Sequence, residues 1–207
     1  MRIEGQVGPQ VVSDGSFSEI RQGKAGDLII SQLHGRYYEA AFRKSLFTAY
    51  AVAVATSVVG TGMIGLQVWN GSPIAGGINM VLMKVGGMNV VTSASMTSVV
   101  LATGTGQVSA PTGQTAITRV TNNFIGGAAP QATALNAGTF TNAPTAMLNL
   151  MHNTAAIATT GEDNGFFVDL EGSVIIPPQV YVCIAAVGAA AASSGMNLHL
   201  MWEEVAA

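Results

Sequence analysis

The chain has 207 residues, a net charge of −3 and 9% charged side chains, against roughly 25% in an ordinary soluble domain. Its hydrophobic fraction of 49% is enough to build a core and excludes disorder as a description of the whole chain. The acidic balance excludes a protein that draws nucleic acid phosphates to its whole surface, and the single Cys183 excludes an intramolecular disulfide.

The first two dozen residues are polar and rich in Gly and Ser, and read as an extended arm over residues 1–24. Met1–Gln6 lacks the apolar core of a signal peptide, so export by that route is not expected. A single domain is expected over residues 25–207, starting with a strand at Asp27–Leu33 and a turn at His34-Gly35. Arg36 to Phe47 fits a helix through Tyr38, Ala41 and Phe42, yet its aromatic residues suit an extended chain too, and the balance leans to strand. Phe47 to Trp69 is uncharged and long enough to span a bilayer, but its glycines, Thr56, Ser57, Thr61 and Gln67 argue against a membrane helix.

From there the pattern is β. Ile64, Leu66 and Val68 alternate as in a half-buried strand that stops at the turn Asn70-Gly71-Ser72-Pro73. Ile78 to Val85 predicts a strand closed by Gly86-Gly87, and Val90–Thr97, Ile117–Phe124 and Ala146–His152 predict others. Long Ala/Gly/Thr-rich loops are expected between about residues 101 and 145, and such loops are usually functional or ordered by a partner. Phe166–Leu170 and Ser173–Ile176 lead to Pro177-Pro178, which marks a corner because proline has no donor for a ladder; Val180–Val187 follows. In the last strand Met196, Leu198, Leu200 and Trp202 share one face, and Asn197, His199, Met201 and Glu203 the other. Many short strands with little helix describe an all-β protein, an antiparallel β-sandwich or jelly roll with an extended N-terminal arm.

Chemistry is thin in this chain. Between Lys44 and Glu162 only Lys84 and Arg119 are charged, and no carboxylate occurs between Glu39 and Glu162, so a carboxylate-based active site has little to draw on. Gly60-Thr-Gly62-Met-Ile-Gly65 satisfies a dinucleotide fingerprint, but the acid needed about 20 residues on is missing, where Met80 to Lys84 stand instead. His34, His152 and His199 have no ligand spacing, and Glu162-Asp163-Asn164-Gly165 reads as a turn rather than a calcium loop. His199 reads as a solvated or interface histidine, and Cys183 as a small buried hydrophobe. The ten methionines serve either as adaptable core or as an accommodating interface. No cofactor, metal or catalytic residue is expected. Six of the eight bases precede residue 45 and the acids Glu162, Asp163, Asp169, Glu171, Glu203 and Glu204 lie late in the chain; such ends either dock copies head to tail or are simply solvated.

The stretch from Arg21 through Leu28-Ile29-Ile30-Ser31-Gln32-Leu33 to Arg43-Lys44-Ser45-Leu46-Phe47 resembles the N-terminal segment of virion proteins of tailed bacteriophages. Ile175-Ile176-Pro177-Pro178-Gln179-Val180-Tyr181-Val182 and the end Met201-Trp202-Glu203-Glu204-Val205 are similar to that group as well, and together the segments cover about a fifth of the chain. The resemblance implies a non-enzymatic structural protein with a jelly-roll body, most simply a capsid cement or decoration protein, with a tail, connector or receptor-binding component as the alternative. Its partners would be the major capsid protein and further copies of itself, as a dimer or trimer, with neither nucleic acid nor membrane. It would be made in the host cytoplasm and act on the capsid surface. The expected interface residues are Arg21, Lys24, Arg36, Tyr37, Tyr38, Arg43 and Lys44.

Overall fold

The structure is a computed structural model that describes residues 5–6, 20–21, 35–90, 98–117, 119–152, 165–187 and 195–207. The chain divides into two compact units, Met1–Tyr38 and Glu39–Ala207. In the first, β1 (Gly5–Gln6) and β2 (Ile20–Arg21) form a short parallel pair. The rest of the expected arm over residues 1–24, the strand expected at Asp27–Leu33 and His34 lie outside the described residues.

The ambiguous segment after Gly35 is both things in turn. Tyr38–Phe42 forms one helical turn, α1, closed by Arg43 N–H donating to the Glu39 carbonyl at 2.9 Å. Lys44 then adopts φ 62°, which ends the helix, and β3 (Leu46–Val54) begins two residues later. The lean to strand is therefore wrong for Tyr38–Phe42 and right from Leu46. Among the described residues, eleven strands build the second unit: β3, β4 (Gly62–Trp69), β5 (Ile78–Asn89), β6 (Ser98–Gly104), β7 (Thr112–Ala116), β8 (Val120–Asn122), β9 (Thr133–Thr139), β10 (Thr145–His152), β11 (Gly165–Ile176), β12 (Tyr181–Val187) and β13 (Met196–Ala206).

They form an antiparallel β-sandwich. One sheet has the order β10-β6-β12-β4-β9-β7 and the other β11-β5-β13-β3-β8. The pairing is nested: β3 lies beside β13, β4 beside β12, β5 beside β11 and β6 beside β10. Those eight strands thus follow one long antiparallel hairpin whose arms pass alternately through the two sheets. The remaining three, β7 to β9, fall between β6 and β10 and widen the sheets beyond β4 and β3.

The alternation in β13 is as the sequence predicts. Met196, Leu198, Leu200 and Trp202 are buried, and they meet Leu66 and Val68 of β4, Leu101 of β6, and Val182 and Ile184 of β12 in one core. Trp202 and Phe47 pack with ring centroids 5.9 Å apart. The middle strands of the six-stranded sheet are buried on their other face too. Met63, Val100, Leu135, Phe140, Tyr181 and Cys183 form a second cluster there. Phe140 stacks on Tyr181 at 3.7 Å between centroids, the Tyr181 hydroxyl donates to the Asn142 carbonyl at 2.6 Å, and Trp69 Nε1 donates to the Gln107 carbonyl at 3.0 Å. Residues 105–111 and 140–142, expected as part of long functional loops, fold over this sheet. The expected loop region from 101 to 145 in fact holds the end of β6 and all of β7, β8 and β9.

Gly86-Gly87 does not close β5, which runs on to Asn89. A Cβ on Gly86 would stand 2.2 Å from His199 Cε1, and one on Gly87 2.6 Å from Leu198 Cδ2. The glycines are there for close cross-strand packing, not for a turn. Phe166–Leu170 and Ser173–Ile176 are one strand, β11, interrupted where the register jumps from Asp169↔Lys84 to Val174↔Leu82. In that bulge Glu171 (φ 53°) and Gly172 (φ 77°) are left-handed, and Ser173 Oγ donates to the Leu170 carbonyl at 2.6 Å. The strand expected over Ile117–Phe124 is reduced to Val120–Asn122. Val90 follows β5, and residues 91–97 lie outside the described residues. The Gly60–Gly65 match runs into β4, so no helix starts there to face a pyrophosphate. No helix among the described residues is long and apolar enough to cross a membrane.

Asn70 ties the corner where β4 leaves one sheet for β5 in the other and β11 returns to β12. Its Nδ2 donates to the carbonyls of Ile78 (2.7 Å) and Ile176 (3.1 Å), and its Oδ1 accepts from Ser72 Oγ at 2.7 Å. Its backbone N–H donates to Val180, and its carbonyl accepts from Gln179. Asn70→Ala leaves buried carbonyls without their donor and is expected to cost about 2–4 kcal/mol in urea unfolding; a loss below about 0.5 kcal/mol would remove Asn70 from this role. Burial pushes the Cys183 thiol up to about 12. It is therefore expected to resist a thiol reagent in the native protein and to react once the chain is denatured.

Candidate functional site

Two surfaces carry the side chains with functional potential. The first lies where α1 hands over to β3. Lys44 is exposed and left-handed, its carbonyl accepts from Asn122 Nδ2 at 2.8 Å, and its Nζ lies 5.0 Å from the centre of the Phe124 ring. Arg43 faces Glu39 at 3.9 Å across one turn, an exposed pair worth little in stability. Arg43 and Lys44 line a cleft of about 460 Å³ together with Gly76, Gly77, Gln131 and Glu204. Glu204 is committed inside the protein, accepting from the backbone N–H groups of Gln131 and Ala132 at 2.9 Å each.

Of the seven interface residues expected from the sequence, Arg43 and Lys44 are thus brought together. Arg21 sits in β2, Arg36 lies 5.5 Å from the Tyr37 ring, and Tyr38 opens α1. Lys24 lies outside the described residues.

The second surface was legible only through His199. It is the outer face of the five-stranded sheet, and the register lines its rings up across the strands. Phe167 of β11 is opposite Gly86 of β5, Gly86 opposite His199 of β13, and His199 opposite Tyr50 of β3. With no side chain at Gly86, the His199 ring leans over that strand to within 5.7 Å of the Phe167 ring. The next row carries Asp169, Lys84, Met201 and Thr48 in register. Lys84 Nζ stands 3.9 Å from Asp169 Oδ2 and 5.3 Å from the centre of the Phe167 ring. A shallow apolar cleft of about 220 Å³ lies between Tyr50, Met88, Phe166, Asn197 and His199. The signal available in the sequence was the alternation that turns His199 away from the core.

Ser98 Oγ and His152 Nδ1 lie 2.9 Å apart at the exposed end of the β6–β10 ladder. A serine nucleophile needs its imidazole oriented by a third group, and no hydrogen bond among the described residues gives His152 a carboxylate. The described residues hold no cluster of three or more His, Cys, Asp or Glu that could bind a metal ion. No protein-family model, no curated protein and no solved structure matches this chain.

Burial, and secondarily the Lys84 charge, lower the His199 pKa from its ordinary 6.5. The unfolded imidazole takes up its proton near that value while the folded one resists, so the unfolded state binds more protons at lower pH. Stability is expected to fall as pH drops below about 6.5, with no contribution from this group above it. His199→Gln should flatten the decline in unfolding free energy between about pH 7.5 and about pH 5.5. An unchanged slope would assign the decline to other groups.

Proposed function

We propose that this chain is a non-enzymatic structural protein of a tailed-phage virion, a capsid cement or decoration protein that binds the assembled head shell as a homo-oligomer. Its partners are the major capsid protein and other copies of itself, and it acts at the capsid surface after synthesis in the host cytoplasm. The observation that carries the reading is the charge distribution over the sandwich. None of the six strands of the larger sheet contains an Asp, Glu, Lys or Arg. Its edge strands β7 and β10 are exposed along most of their length, and β10 shows Met147 and Leu148 to solvent. Edge strands of proteins that stay alone are usually guarded by charge or proline, and interface cores are depleted in charge.

The nested order of eight strands supports the same reading, because we take it as the wrapping of a jelly roll, an architecture frequent in viral shell proteins and shared with lectins and cupins. A fold alone does not give a function. The sequence resemblance at residues 21–47 and 175–182 adds the phage context, and a protein that binds only the assembled shell stabilises that shell.

Heads assembled without the protein are the direct test. Purified chain is expected to co-sediment with them to a saturating ratio and to raise the temperature at which they open. Deleting residues 1–24 should lower the occupancy. Unchanged occupancy would overturn the arm, and an antibody label found on tails rather than heads would replace the head assignment with a tail or receptor-binding role.

A further inference from the structure

We propose that the open side of the sandwich beside β3 is a docking site for an extended, acidic segment of a partner protein. The segment adds as a strand to the five-stranded sheet and sets its carboxylate on Arg119. This goes beyond the reading above and does not depend on the virion role.

The first observation is a sheet edge left half covered. β3 has nine residues, but its outer neighbour β8 has three and pairs only with Phe47, Thr48 and Ala49. The pairing ends where Tyr50 N–H donates to the Arg119 carbonyl at 3.0 Å. Before Arg119 the chain belongs to the opposite sheet, where Ile117 N–H donates to the Ala134 carbonyl of β9 at 3.0 Å. From Ala51 onward no strand among the described residues lies on that side of β3. Tyr50 and Val52 are exposed on either side of the buried Ala51, so the main-chain groups of Val52 point to the open side as those of Tyr50 do. An edge of this kind is a template for a further strand.

The second is an acceptor in want of a donor. Beside Tyr50 and Val52 the gap between the sheets forms a cleft of about 210 Å³, lined also by Ile117, Arg119 and Asn136. Asn136 shares the inward side of β9 with Ala134, and its Oδ1 is buried without a hydrogen-bond partner. Buried acceptors are nearly always paired in native proteins. A peptide entering the cleft brings N–H donors, which a bare anion lacks.

Arg119 selects the charge. It is exposed, makes no ion pair among the described residues, and is the only charged side chain in the sequence between Lys84 and Glu162. The acids of the same sheet stand apart from it. Glu203 lies opposite Leu46 rather than Tyr50, Glu204 is held by Gln131 and Ala132, and Asp169 and Glu171 belong to β11 at the far edge. A guanidinium with no acid of its own matches a carboxylate through two parallel bonds. The chain's own edge strands do not offer one: β7, β8 and β10 contain no acid, and β11 carries its acids at and beside a bulge. A different protein is therefore the better match than a second copy.

The test is an NMR titration of the isotope-labelled full chain with three blocked hexapeptides, Thr-Val-X-Val-Thr-Val, in which X is Asp, Asn or Lys. The Asp peptide is expected to shift the backbone amides of Tyr50, Val52 and Arg119 and to bind about tenfold more tightly than the Asn peptide, with Lys weaker still. Arg119→Gln, at an exposed position, should remove the preference for Asp. Methylating the peptide nitrogens along one edge should abolish binding, while methylating the other edge should not, because only one edge pairs with β3. Equal affinity for the three peptides overturns the Arg119 contact, and equal effects of the two methylation patterns overturn the added strand. An Asp peptide that shifts no residue of the cleft at about 10 mM, beyond the range of weak binding, overturns the site. Self-association of the wild type that Arg119→Gln abolishes overturns the choice of partner in favour of a second copy.

Discussion

A sheet buried on both faces has no place for a charged side chain, and this constraint organises the rest of the molecule. Every residue of β12 from Tyr181 to Ala186 is buried, alternately in the core between the sheets and in the second cluster outside. An unpaired charge at any of these positions would lose its hydration without compensation. The cost explains why the middle strands of this sheet are neutral; its edge strands β7 and β10 are neutral although exposed. The five-stranded sheet has one packed face and one outer face, and it holds Lys84, Asp169, Glu171, Glu203 and Glu204. Part of what looks like a gap in the sequence is the doubly buried middle of one layer.

The same constraint shapes the polar interior. Where the chain crosses between layers, buried backbone groups need partners that strands cannot give, and Asn70 with Ser72 provides them at the joint of four strands. On the outer side Gln107 does comparable work, accepting from Thr141 N–H at 2.8 Å through its side chain while its own N–H reaches Gln179. Neutral amides satisfy these groups with no charge to desolvate. Glu204, the acid nearest such a joint, is held by two backbone donors.

Local signals were readable where one face of a strand decides its fate. β13, β4 and the Pro177-Pro178 corner follow from alternation and turn chemistry alone. The misreadings share a cause, which is that the deciding contact is remote in sequence. Gly86 looks like punctuation until His199, over a hundred residues later, is laid across it. Thr133–Thr139 looks like a loop because small residues carry little pattern, yet Ala134 and Leu135 are buried on opposite faces of a sheet. The continuous apolar run of β12 was a usable sign of burial on both faces. The ring row needed register, and no periodicity within a single strand contains it. Of the interface residues read from charge, Arg43 and Lys44 line one cleft.

The nested pairing has a consequence for how the chain is made. β3 is complete by Val54, but its neighbour β13 begins only at Met196. At about 5–20 residues per second of synthesis, the first arm waits on the order of ten seconds for its partner. During that interval the nascent segment is the one with almost no charge, and exposed apolar strands of this kind are prone to wrong association. Long-range pairing also makes the closing step slow. The arrangement that frees one sheet of charge therefore puts the greatest hazard before release from the ribosome, when the last strand, and with it the core around Trp202, has yet to arrive.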